Sequence, residues 1–105
     1  MNLVNDIYAI TSNYPKSEVF GLTQQIRRTG VSIPSNIAEG FGRYSKSEFH
    51  RFLRIALDSL SELKTQLIIS KNQEFIDEND FKNLEKDINE LGKMINSILS
   101  KSYNS

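Results

Sequence analysis

Two long stretches of the sequence carry apolar residues at alternating steps of three and four, and this repeat restricts the fold more than any other feature. The first stretch has Phe49, Leu53, Ala56, Leu60, Leu63 and Leu67, and the second has Phe81, Leu84, Ile88, Leu91, Ile95 and Ile98. Such a repeat gives each helix one apolar stripe and suits helices packed side by side at a shallow angle. It predicts two long helices that share a core.

Local signals place the starts of both helices. Ser45 and Glu48 read as a capping box, in which the Ser45 hydroxyl accepts from the Glu48 amide and the Glu48 carboxylate reaches back to the Ser45 amide. Asp77 is a good N-cap for the second helix, with Ile76 and Phe81 placed as a hydrophobic staple. We expect that helix to run toward Lys101.

The N-terminal part predicts two further helices. A short amphipathic helix is indicated by Leu3, Val4, Ile7, Ile10 and Thr11 and stops before Pro15. The next helix is expected to begin near Ser17 or Glu18 and to bury one stripe, formed by Val19, Leu22, Ile26, Ile33, Ile37 and Phe41.

Pro34 falls inside this second helix. Proline removes an amide donor and presses on the carbonyl four residues earlier, which here belongs to Gly30, a residue with no side chain to resist a bend. The pattern favours a kinked but continuous helix, with Gly40 and Gly42 as a flexible exit. Ser35 and Asn36 are expected to satisfy backbone groups that Pro34 frees.

Four helices joined by short loops predict an all-α, up-and-down antiparallel four-helix bundle, with residues 1–105 forming one domain. A chain of this length buries roughly two-thirds of the surface that it exposes when unfolded, which is enough for one core. The aromatic residues Phe20, Phe41, Tyr44, Phe49 and Phe52 are expected to be core first. Their excess over a single seam, with Ile55, Leu57, Ile68 and Ile69, predicts an oligomer interface.

Composition excludes several classes of function. There is no cysteine, hence no disulfide framework, thiolate zinc site or cysteine nucleophile, and this suits a reducing cytosol. No apolar run approaches the ~20 residues of a membrane span, and the start of the sequence lacks a signal-peptide pattern. We therefore expect a cytoplasmic protein with no membrane association.

Catalytic and metal motifs are equally scarce. His50 is the single histidine, so the sequence favours a surface residue over a metal ligand or general base. Glu39 and Glu62 stand on separate helices without the Glu-x-x-His pairs of a di-metal bundle, and Glu39 is better placed to pair with Arg43. We expect no enzymatic activity, no metal and no cofactor.

Charge is balanced overall but not along the chain. Residues 16–54 carry seven basic and three acidic residues, whereas residues 55–105 carry six basic and nine acidic ones. Lys46, His50 and Arg54 follow one stripe of the third helix at its positive end, where the macrodipole disfavours cations. A surface for phosphates or an acidic partner is predicted, made of Arg27, Arg28, Arg43, Lys46, Arg51 and Arg54.

A plainer interpretation is a solvated face whose arginines pair locally with Glu39, Glu48 and Asp58. It is the more economical of the two, since the net charge is zero. Under the first interpretation the protein binds RNA or DNA backbones without reading bases. Under a third, it is a scaffold that recruits another protein through the basic surface or the apolar face.

Several motifs resemble those of one known family: Phe20–Arg28, Ser32–Arg43, Ser47–Phe49 and Ser59–Leu63. Across roughly residues 14–101 the chain resembles the four-helix-bundle proteins of the 23S rRNA intervening-sequence family. The resemblance implies a left-handed bundle of bacterial origin that assembles as a homopentamer, with no established enzymatic activity. More distant relatives are accessory proteins of diversity-generating retroelements, in which a basic pentamer binds nucleic acid and a reverse transcriptase. The short first helix departs from the longer one that family members usually carry.

Overall fold

The computed structural model describes residues 2–104, with side chains placed for residues 3–101, and all regular structure within residues 2–104 is helical. The four α-helices are α1 (Asn2–Thr11), α2 (Leu22–Phe41), α3 (Lys46–Asn72) and α4 (Glu78–Asn104). One turn of 3-10 helix, Lys16–Glu18, lies between α1 and α2. None of the helices in this part of the chain has the length and apolarity needed to cross a bilayer.

Successive helices run in opposite directions. Contacts between neighbours occur in reverse order along the two partners, as in the pairs Ile7–Gly30 and Thr11–Arg27, Ser32–Ser59 and Gly40–Phe52, and Lys64–Glu85 and Lys71–Glu78. Helix α2 packs most extensively on α3, while α1 lies against α2 and α4. The predicted antiparallel four-helix bundle is confirmed.

The two heptad stripes line the core as predicted. Leu53, Ala56, Leu60, Leu63 and Leu67 of α3 are buried, as are the α4 residues Phe81, Leu84, Ile88 and Ile95. The helix starts are also confirmed, because Ser45 Oγ accepts from the Glu48 amide at 3.1 Å and Asp77 Oδ1 accepts from the Asp80 amide at 2.7 Å. The Glu48 carboxylate, however, accepts from Arg51.

Helix α2 begins later than predicted. The α-helix starts at Leu22 because Gly21, with φ −115° and ψ −115°, breaks the helical register after the 3-10 turn. The Glu18 carboxylate then accepts from the Leu22 amide at 3.3 Å. As a result Val19 and Phe20 lie outside the bundle, 48% and 88% exposed, so their predicted place in the core was wrong.

Gly30 has a role that the sequence did not indicate. Helix α2 continues through Pro34 as predicted. Gly30 itself is buried beneath α1, where an added Cβ would lie 3.1 Å from Ile7 Cδ1. The missing side chain therefore lets α1 approach α2, in addition to the predicted room that Gly30 gives to the Pro34 ring.

The connection between α3 and α4 closes with a Schellman motif that was not predicted. Glu74 adopts φ 63°, the Phe75 amide donates to the Ser70 carbonyl at 2.9 Å and the Glu74 amide donates to the Lys71 carbonyl at 3.0 Å. Phe75 then packs against Tyr14, with ring centroids 5.6 Å apart. This contact closes one end of the bundle. The left-handed position in a Schellman motif is usually occupied by glycine, and here it is occupied by Glu74.

Candidate functional site

The end of the bundle where α2 turns into α3 is built around Gly40. This glycine is buried inside α2, and an added Cβ would lie 3.1 Å from Phe52 Cβ and 3.3 Å from the Phe49 carbonyl oxygen. Gly42 caps the helix in a right-handed conformation, and no glycine in the described part of the chain has a positive φ. Gly40 is thus a packing residue and not part of the flexible exit that the sequence predicted.

The Phe52 ring makes cation–π contacts with two arginines. The guanidinium carbon of Arg43 lies 4.9 Å from the centre of the Phe52 ring, and that of Arg51 lies 4.6 Å from it. Each arginine is also held by a carboxylate, Arg43 by Glu39 at 2.6 Å and Arg51 by Glu48 at 2.8 Å. The ring and the carboxylates together fix where both guanidinium groups point.

The ion pair between Arg51 and Glu48 shifts both groups toward their charged forms. The hydrogen bond from Arg51 lowers the pKa of Glu48, and the same bond raises the pKa of Arg51. Both groups face solvent, so the pair stabilises the fold little. Its consequence is a defined orientation of the arginine.

Part of the predicted local pairing is therefore present, and part is not. Glu39 and Glu48 each bind an arginine, whereas Arg54 and Asp58 form no ion pair within the described part of the chain. The α2–α3 hairpin, residues 39–54, thus presents four exposed cations, Arg43, Lys46, Arg51 and Arg54, against two carboxylates. It keeps a surplus of positive charge.

The hairpin also exposes two aromatic rings that were expected in the core. Phe41 is 65% exposed with its ring 5.2 Å from that of Phe49, and Tyr44 is fully exposed. The prediction was wrong. Helix α1 contacts α2 at Arg27 and Gly30, and Phe41 lies roughly 16 Å further along α2.

A hollow of about 360 Å³ lies between these rings and the cations. We call it the hairpin hollow, and it is lined by Gly40, Phe41, Arg43, Tyr44, Ser45, Lys46 and Phe49. The Ser45 hydroxyl already accepts from the Glu48 amide, so the two exposed rings are the surface that remains for a ligand, with the positive charges of Arg43 and Lys46 beside them. The sequence offered one signal for this feature, the alternation of aromatic and basic residues from Phe41 to Lys46.

Arg27 and Arg28 lie apart from the hairpin. Arg27 Nε donates to Thr11 Oγ1 at 2.9 Å, and its guanidinium stacks 4.6 Å from the centre of the Tyr8 ring, so this side chain ties α2 to α1. Arg28 is exposed with no ion pair among residues 3–101. Because α2 from Arg28 to Phe41 spans about 20 Å, the six predicted bases divide into two groups.

His50 is buried, with 6% of its surface exposed, so the expectation of a surface residue was wrong. It lies three residues before Leu53 and therefore shares the covered side of α3. Its Nε2 has no hydrogen-bond partner, and its ring lies 5.9 Å from that of Phe49. Among the described residues, no three carboxylate, histidine or cysteine side chains cluster as a metal site would require.

The remaining polar candidates have structural partners. Asn36 Nδ2 donates to the Ser32 carbonyl at 2.7 Å, whereas the carbonyl that loses its amide donor to Pro34 is that of Gly30, so the predicted role of Asn36 at the freed group is not what this bond shows. Glu62 accepts from Gln66 Nε2 at 3.3 Å, whereas Glu39 pairs with Arg43. The Ser32 and Ser59 hydroxyls, 2.8 Å apart, join α2 to α3.

Comparison with known proteins finds a matching family model and similar solved structures. The model of a family described as 23S rRNA-intervening sequence protein matches residues 1–97. A solved structure from Bacteroides thetaiotaomicron, of a protein with unknown function from the S23 ribosomal protein family, is similar with a TM-score of 0.80. It is 28% identical over 90% of this chain and 86% of that one. No curated protein matches the sequence.

Proposed function

Because the chain belongs to the 23S rRNA-intervening sequence protein family, we propose that it is a non-enzymatic, self-assembling helical bundle that binds the backbone of RNA or DNA. The binding surface is the α2–α3 hairpin. One observation carries this proposal: four exposed cations, two of them fixed on Phe52, stand against two carboxylates in one short segment.

The cations contact phosphates and carry no sequence information. Arg43 and Arg51 are already oriented, so binding costs them less side-chain freedom than it would cost two unrestrained arginines. Each phosphate neutralised releases counterions, and affinity therefore falls steeply as salt is added. Arg28 adds a separate contact for a strand long enough to reach along α2.

Self-assembly multiplies this surface. We propose a homopentamer, as the family resemblance implies, located in the cytoplasm. It is supported by large apolar side chains that the bundle leaves exposed: Val19, Phe20, Val31, Ile68, Ile69 and Met94. Several hairpins in one ring would bind a single strand together, so modest affinity at each hairpin suffices.

The experiment is sedimentation of the pure protein followed by RNA binding at low and high salt. The double variant Arg51→Glu, Arg54→Glu is expected to weaken binding at low salt by about tenfold or more. The matched control is Lys86→Glu, Lys93→Glu, which changes the net charge equally on exposed positions of α4. Equal losses in both variants, or binding that ignores salt, would contradict the proposal.

A second candidate is a protein scaffold with no nucleic-acid ligand. It is favoured by the same exposed apolar side chains and by the carboxylates that partly neutralise Arg43 and Arg51. Under this alternative, a partner protein stays bound after nuclease treatment. The variants Ile68→Ser and Ile69→Ser no longer bind that partner. RNA affinity is then absent at low salt.

A further inference from the structure

We infer that the hairpin hollow takes an unstacked nucleobase against Tyr44, which makes this protein selective for single-stranded over duplex nucleic acid. The inference rests on the proposed function and adds the class of ligand. Backbone contacts by Arg43, Lys46, Arg51 and Arg54 do not distinguish a single strand from a duplex, because both present phosphates. The aromatic rings do.

Tyr44 is the side chain that stands out at the hairpin. Its ring is fully exposed although it sits in a short connection between two well-packed helices, with Gly40 locking α2 against Phe52 on one side and Ser45 capping α3 on the other. A large ring surface that is exposed to water beside two packed helices is available to a flat partner. Phe41, 65% exposed, adds a second such surface in the same hollow.

The groups around the ring match the two parts of a nucleotide. Arg43 and Lys46 flank Tyr44 in sequence and line the same hollow, so a base stacked on the ring has its phosphates next to cations. The hollow, at about 360 Å³, lies near the lower end of the range for small-molecule sites. Stacking platforms beside basic grooves are how proteins bind single strands without reading sequence.

A duplex cannot use this platform. Its base faces are already stacked on each other, and exposing one requires unpairing. The hairpin would contact a duplex through phosphates alone, and the rings would gain nothing. Selectivity for the single strand therefore comes from Tyr44 and Phe41, while the salt-dependent part of the affinity comes from the cations.

The test compares one labelled RNA oligonucleotide of about 15 nucleotides, single-stranded and annealed to its complement, by fluorescence anisotropy. The single strand is expected to bind more tightly than the duplex. Tyr44→Ala is expected to weaken single-strand binding by about five- to hundredfold and duplex binding by less than about twofold. Tyr44→Phe keeps the ring and is expected to bind as the wild type does. Sedimentation of all three proteins is expected to be unchanged.

The outcomes separate this inference from the proposed function. Equal, salt-dependent binding of single strand and duplex, with no specific loss in Tyr44→Ala, leaves backbone binding intact and overturns the stacking role. Absence of binding to either RNA overturns both. If Tyr44→Ala falls apart into smaller species, Tyr44 belongs to a contact between copies and the inference is wrong.

Discussion

A Cβ atom placed on Gly40 would come within 3.1 Å of the Cβ of Phe52, and this approach joins the packing of the bundle to its candidate binding surface. The Phe52 ring can lie beside both Arg43 and Arg51 because Gly40 leaves room for the Cβ of Phe52 against α2. Any side chain at position 40 would force Phe52 or the backbone at Phe49 to shift by a few tenths of an ångström relative to α2. The arginine arrangement thus depends on an absent methyl group.

Gly40→Ala should destabilise the protein although alanine is the better helix former. The propensity gain is about 1 kcal/mol, whereas crowding Phe52 and the Phe49 carbonyl costs about 1–3 kcal/mol. The free energy of unfolding in urea measures the balance. Gly92→Ala is the control, since its Cβ would lie 4.0 Å from Leu60 Cδ1, and it should gain up to about 1 kcal/mol. A Gly40→Ala protein as stable as Gly92→Ala would refute the packing role.

Glu74→Gly should stabilise the protein. Glu74 adopts a left-handed conformation at φ 63°, which costs a residue with a Cβ about 1–2 kcal/mol. Glycine removes this cost, but its greater freedom in the unfolded chain offsets part of the gain. We expect a net gain of about 0.5–1 kcal/mol in chemical denaturation. Glu74→Ala removes the same charge but keeps the Cβ, so it should show no such gain.

Stability should fall in alkaline solution because of Tyr14. Burial raises the pKa of this phenol above its ordinary value of 10.0, an effect that the nearby Ser70 side chain opposes. The folded state therefore holds the proton more tightly than the unfolded state. The resulting stability is complete below pH 10 and is lost as the pH rises through the folded-state pKa, with a slope of at most about 1.4 kcal/mol per pH unit.

The measurement is urea denaturation between about pH 9 and about pH 11, for wild type and Tyr14→Phe. As the pH rises, the unfolding free energy of the wild type should fall relative to that of Tyr14→Phe. Tyr44→Phe, which alters a fully exposed ring, controls for the loss of one phenol and should keep the wild-type slope. Parallel curves for wild type and Tyr14→Phe would show that Tyr14 is not the source.

Arg27→Lys should cost stability, whereas Arg28→Lys should not. Arg27 donates to Thr11 through Nε while its guanidinium plane stacks on Tyr8, and a lysine ammonium has no planar group to make both contacts together, so we expect a loss of about 1–2 kcal/mol. Arg28 is exposed, and its variant should stay within about 0.5 kcal/mol of wild type. Thermal unfolding of the two variants provides the comparison. Equal shifts would mean that the contacts to α1 contribute nothing.

The elements of the fold followed from the sequence where a repeat was long and its ends were capped. The heptad of α4 and the Ser45 and Asp77 caps were correctly assigned because each depends on residues close together in the chain. The start of α2 was not, since Gly21 breaks a helix that the apolar spacing from Val19 onward would have continued. Periodicity measures which residues share a face, and it does not report the backbone angles of one residue.

The candidate surface was predictable in part. The ion pair between Glu39 and Arg43 followed from their spacing on one helix. The shared ring beneath Arg43 and Arg51 did not, because it requires α2 and α3 to be brought together at Gly40. His50 was misplaced for a similar reason: only the packing of α2 on α3 decides which side of the helix is covered.

The sequence by itself determined that this chain is four helices with one apolar seam, because helical periodicity and capping are local properties of the residues. Tertiary structure decided which aromatic residues stay in water. Phe41 and Phe49 have the same side chain, yet Phe49 packs against the core while Phe41 is 65% exposed, because α1 contacts α2 at Arg27 and Gly30 and not beside Phe41. Burial depends on the length and position of neighbouring helices, and that information is distributed over the whole chain.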